Sequence, residues 1–67
     1  MSVARITELS ASSKKSFDDA LHSGLKRATR TLKNVQSAWI SSQEVLLKGG
    51  RISEYRIRMK VTFVLEE

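Results

Sequence analysis

The chain has no cysteine, no proline and a single histidine, His22. Without thiols it can form neither disulfide bridges nor a thiolate metal site, and one imidazole cannot make a histidine cluster. Aromatic residues are few: one tryptophan, one tyrosine and two phenylalanines. That leaves little material for a platform on which nucleic-acid bases could stack. No apolar run approaches the roughly twenty residues that span a bilayer. The opening "MSVARITELS" also lacks the apolar centre of a secretory signal. The expectation is a cytoplasmic protein with no membrane partner.

At 67 residues the chain makes one small domain, residues 1–67. Domains of this size bury a modest share of their surface and depend on some further aid. With disulfides and metal excluded, association with copies of itself is the aid that remains. The net charge of +5 raises the question of a polyanionic partner. Sparse aromatics disfavour nucleic acid, and a lysine- and arginine-rich solvated surface is the plainer account.

Three zones follow one another, with no repeat or low-complexity tract between them. Residues 2–10, "SVARITELS", set Val3, Arg5, Thr7 and Leu9 against Ala4, Ile6, Glu8 and Ser10, the alternation of a short strand. In the second zone Phe17, Ala20, Leu21, Gly24, Leu25, Ala28, Leu32 and Val35 recur at spacings of three and four. They form one apolar stripe on a helix expected from about Ser16 to Val35. Ser16 and Asp19 have the spacing of a capping box, and Asp18 and Asp19 suit the positive end of the helix dipole. Lys26, Arg27, Arg30 and Lys33 crowd the later turns, where cations suit the carbonyl end. Gly24 sits on the stripe in mid-helix at a cost of about 1 kcal/mol relative to alanine, explained either by close approach of a neighbouring backbone or, equally well, as a tolerated imperfection.

The third zone places "KGGR" between two β-prone runs, the signature of a hairpin. In the last run Tyr55, Ile57, Met59, Val61, Phe63 and Leu65 alternate with Glu54, Arg56, Arg58, Lys60 and Thr62. Six apolar residues on one face would cover the stripe of a single helix. The fold class expected is therefore α+β, with element order β-α-β-β. A right-handed crossover makes the first and second strands parallel to each other. The third strand lies between them, antiparallel to both, in sheet order 1-3-2, with one helix across one face. Arg56, Arg58 and Lys60 then line the other face.

No catalytic residue emerges. His22 lies off the apolar stripe without a spaced nucleophile, no serine occupies a G-x-S-x-G elbow, and "KGGR" lacks phosphate-loop spacing. Glu66 and Glu67 could join Glu8 or Glu44 around a cation, yet terminal acids are usually solvated. A non-enzymatic protein is expected, with no metal.

Taken together, "SASSKKSFDDAL", "RATRTLKNV" and "EYRIRMKVTFVLEE" resemble the dodecins, small flavin-binding proteins of β-α-β-β fold that assemble as hollow shells of twelve subunits. The likeness covers essentially the whole chain, and the final strand is its most specific part. It implies a homododecamer that stores flavin (riboflavin, FMN or FAD) or a related flat or anionic ligand between subunits. In dodecins a tryptophan early in the second strand stacks on the isoalloxazine ring. A glutamine after the aromatic residue of the third strand bonds the ring's polar edge. Gapless alignment of "NVQSAWISSQ" puts Ser37 at the tryptophan position, and Arg56 stands at the glutamine position. The resemblance thus implies a flavin site of Trp39, Ser37 and Arg56. Trp39 shares a strand face with Ser37 one pleat along, roughly 6–7 Å away, and would take over the stacking. Arg56 would donate to flavin carbonyls or pair with a phosphate. The alternative is a dodecin-like shell without flavin that is structural, or that binds ions or phosphate-bearing ligands through Arg56, Arg58 and Lys60.

Overall fold

In the computed structural model of the protein, which describes residues 3–65, the elements run β1 (Val3–Ser13), α1 (Phe17–Thr31), β2 (Val35–Lys48) and β3 (Arg51–Leu65). Both β1 and β2 pair antiparallel with β3, giving the order β1-β3-β2. They therefore run in the same direction as each other, as the crossover requires. Gly49 and Gly50 form the two-residue turn between β2 and β3, with φ of 58° and 76°. Positive φ at both central positions is the geometry whose twist matches a hairpin, and glycine adopts it without steric cost.

Strand β1 runs three residues beyond the expected end at Ser10, because Ser12 and Ser13 still pair with Arg56 and Tyr55. Ser2, the first residue of that expectation, lies outside the described residues. Ser13, the last residue of β1, then supports the start of the helix at Phe17. Ser16 is extended (φ −171°, ψ 165°), and its hydroxyl accepts from the Asp19 amide at 2.9 Å. In a full capping box the acid would reach back to the cap amide, but aspartate is one methylene shorter than glutamate. The Ser13 hydroxyl spans the difference. It donates to Asp19 Oδ2 at 2.6 Å and accepts from the Lys15 and Ser16 amides at 2.9 and 3.4 Å.

The helix ends at Thr31, four residues before the expected Val35. Leu32 is already extended, its amide donating to the Ala28 carbonyl at 2.9 Å, and Asn34 takes a left-handed φ of 60°. Asparagine tolerates that region better than most residues. The reversal brings Val35 into β2 opposite Phe63, and the Val64 amide donates to the Asn34 carbonyl at 3.1 Å. Val35 keeps its place against the core from the strand rather than from the helix.

Ala20, Ile57, Met59 and Val61 are fully buried, with Leu9, Ala11, Leu21, Leu25 and Ala38 packed around them. Phe17 meets Tyr55 edge to face at 5.2 Å. Only three of the six alternating apolar residues of β3 are fully buried. A helix of 15 residues is roughly 22 Å long, whereas the molecule extends 51 Å. It covers the middle of β3 and leaves Leu65 and the hairpin tip bare. Close approach at Gly24 is confirmed, although the neighbours are side chains rather than backbone. A Cβ there would stand 2.5 Å from Met59 Cε and 3.0 Å from Ala11 Cβ.

Replacing Ser16 with alanine should cost about 1 kcal/mol of stability, the usual loss for a helix cap, measured by urea denaturation. Gly24→Val should cost about 2 kcal/mol or more by overpacking a filled core and adding a β-branched residue to the helix. An unchanged or higher denaturation midpoint for that variant would show that Met59 and Ala11 can move aside.

Candidate functional site

The face of the sheet turned away from α1 carries Ser37, Trp39 and Arg56, the residues singled out in the sequence. Its centre is β3, where burial of Ile57, Met59 and Val61 against the helix forces Arg56, Arg58 and Lys60 outward. Directly paired residues share a face, so the register defines rows across it. One row is Ile6, Thr62 and Ser37; the next is Glu8, Lys60 and Trp39. Further along come Ser10, Arg58 and Ser42, then Ser12, Arg56 and Glu44.

Trp39 stands on this face because β2 is irregular. The register shifts between Val35 and Ser37, leaving Gln36 as an extra residue. Val35 and Ala38 can then both point to the core, and Trp39 points away from it. Strict alternation from Val35 would have turned the indole toward the helix, since a one-residue slip exchanges the faces. A second shift, between Ile40 and Ser42, keeps Ile40 opposite Met59 and sets Glu44 opposite Arg56. The indole is 44% exposed, a large apolar surface left to solvent in the single chain.

Arg56 is held from both sides. Its Nε donates to Ser12 Oγ at 3.2 Å, and Nη1 lies 3.9 Å from Glu44 Oε1. Ser37 and Trp39 are thus brought together, one pleat apart, as expected. Arg56 is not brought to them. It lies four residues along β3 from Lys60, the partner of Trp39, roughly 13 Å at strand rise. The cation beside Trp39 is Lys60, flanked on its other side by Glu8. Alternation placed Lys60 on the open face, but only the register puts it next to the indole.

Among the described residues no group of three acidic or histidine side chains could hold a metal ion. Glu66 and Glu67, named above as potential contributors, lie outside them. A cleft of about 560 Å³ between β1 and α1 lies on the helix side, floored by Leu9, Ala11, Gly24 and Ala28, and takes no part in this face. Chemically the open face offers one aromatic plane and a line of three cations, two of them matched by carboxylates.

A family model described as Dodecin matches residues 3–66. The chain belongs to the dodecin family. The dodecin from Streptomyces davaonensis is 30% identical, with a TM-score of 0.92 over 98% of this chain and 97% of that one. A tryptophan-to-phenylalanine variant of the Thermus thermophilus dodecin is 25% identical, with a TM-score of 0.93 over the full length of both chains. Dodecin from Streptomyces coelicolor, at 24% identity and TM-score 0.93, is similar in fold. No curated protein matches this dodecin by sequence.

The Arg56 contacts are partly exposed and should contribute little to stability. Arg56→Gln is expected to shift the free energy of unfolding by less than about 1 kcal/mol in urea denaturation. A larger loss would mean that the row Ser12, Arg56, Glu44 is a structural clamp.

Proposed function

We propose that this dodecin is a non-enzymatic binding and storage protein of the cytoplasm that sequesters flavin, as riboflavin, FMN or FAD, between subunits of a homododecameric shell. The family as a whole binds flavins and self-assembles. The observation that carries the reading for this chain is Trp39, an indole aimed into solvent from the open sheet face with a lysine beside it. Stacking and shielding are all that sequestration requires, and neither needs an acid–base pair. One chain offers a single wall for a flat ring, so the second must come from another copy. The separation of Trp39 and Arg56 agrees with this, because a ring touched by both would take them from different subunits. Self-association is supported by exposed Val3, Ile40, Val45, Leu47, Ile52 and Leu65, more apolar surface than a small monomer comfortably leaves in water. No described helix is long and apolar enough to cross a membrane.

A second reading draws on Arg56 and Ser37. Arginine at the glutamine position is already engaged by Ser12 and Glu44, and serine cannot stack. This reading is a dodecin shell without flavin that binds ions or phosphate-bearing ligands through Arg56, Arg58 and Lys60.

The absorption spectrum of the purified protein, its mass in solution, and titration with riboflavin and FMN separate the two. On the first reading the assembly quenches flavin fluorescence and Trp39→Ala abolishes the effect. Colourless protein that leaves both flavins unquenched would overturn it. Flavin affinity appearing only in Ser37→Trp with Arg56→Gln would establish the second.

A further inference from the structure

The cations of this molecule are unevenly balanced. On the open sheet face Arg56 meets Glu44, and Lys60 lies opposite Glu8. Between Asp19 and Glu44, by contrast, the sequence has no acid and four cations, Lys26, Arg27, Arg30 and Lys33. Three of these belong to α1, and with Ser23 they line one cleft of about 340 Å³ on its solvent side. The spacing 23, 26, 27 and 30 puts all four side chains on one face of the helix. None of Lys26, Arg27 and Arg30 has a carboxylate within 4.0 Å among the described residues. Arg27 Nη1 donates to Thr31 Oγ1 at 3.4 Å, and all three side chains are exposed.

The helix dipole does not account for this cluster. Only Arg30 lies in the last turn, whereas the dipole acts within that turn, and Lys26 and Arg27 lie before it. Like charges three and four residues apart destabilise the helix that carries them. An exposed arrangement that costs stability and has no internal counter-charge suits an anionic ligand from outside.

We propose that this cleft is a binding site for an oligophosphate group, two or three linked phosphates, free or carried by a nucleotide. Lys26 and Arg30 are four residues apart, about 6 Å along the axis, within reach of one compact multiply charged group. Arginine forks grip phosphate oxygens in pairs, and the Ser23 hydroxyl adds a donor. A long nucleic-acid backbone fits less well, because Asp18 and Asp19 occupy the N-terminal end of the same helix and would repel it. The cleft lies on the helix side of the sheet, opposite Trp39, so the proposal is independent of the flavin reading.

Calorimetric titration of the assembled protein with inorganic tripolyphosphate at low salt should show saturable binding that weakens as salt rises. K26Q/R30Q should weaken it about tenfold or more, since each lost charge-assisted contact is worth a sizeable part of such an affinity. K48Q/R51Q, at the exposed hairpin tip, should change it by less than about twofold. Circular dichroism and solution mass confirm that both variants remain folded and assembled. Equal affinity for tripolyphosphate and adenosine triphosphate supports recognition of the phosphate chain alone; tighter nucleotide binding supports a nucleotide source. Three results would overturn the site: no saturable binding by the unaltered protein, equal loss in K48Q/R51Q and K26Q/R30Q, or a preference for duplex DNA that K26Q/R30Q removes.

Discussion

Strand β3 pairs on both of its sides, and the rest of the molecule depends on its pleat. Ile57, Met59 and Val61 must face α1, because each is fully buried there and no other surface covers them. Once they do, Arg56, Arg58 and Lys60 have one direction left. A slip of a single residue would press three cations into an apolar interface, a cost of several kcal/mol for each unpaired charge. The same alternation makes the core and lays out the open face. Neither can be altered without the other.

A second constraint is length. A fifteen-residue helix cannot cover strands of fourteen and fifteen residues, so parts of the sheet stay bare on the helix side too. The helix draws close through Gly24, Ala20 and Ala28, its three buried residues, and the Met59 thioether fills the space over Gly24. Close packing in the middle and exposure at the ends describe a subunit more than a finished globule. Membership of a self-assembling family accords with this, and the sequence has no cysteine with which a disulfide could take the place of assembly.

Charge is divided between the two sides of the molecule. On the open sheet face Glu44 lies near Arg56 and Glu8 stands opposite Lys60 in the register, and Trp39 is a large aromatic surface left exposed there. The solvent side of α1 is different, since its cations have no such partners. Opposite faces of one thin domain therefore present different chemistry, one aromatic and near balance, the other cationic.

The strict alternation of residues 55–65, the spacing of the α1 stripe and the adjacent glycines made the β-α-β-β order legible in the residues themselves. Sheet order followed from connection handedness, and the Ser16 cap from local chemistry. Local patterns of this kind need no knowledge of distant residues. Element ends were less legible: the apolar stripe runs smoothly through Leu32 to Val35, and only the left-handed turn at Asn34 shows where helix gives way to strand. Membership of the dodecin family was readable from the same segments. The partner of Trp39 was not readable, because it depends on the displaced Gln36. A bulge is a compromise between two strands and the core between them, and no single strand's pattern reveals it. Tertiary packing alone thus decided that Trp39 stands beside Lys60, that Arg56 stands far from both, and that Glu44 answers Arg56 across the sheet.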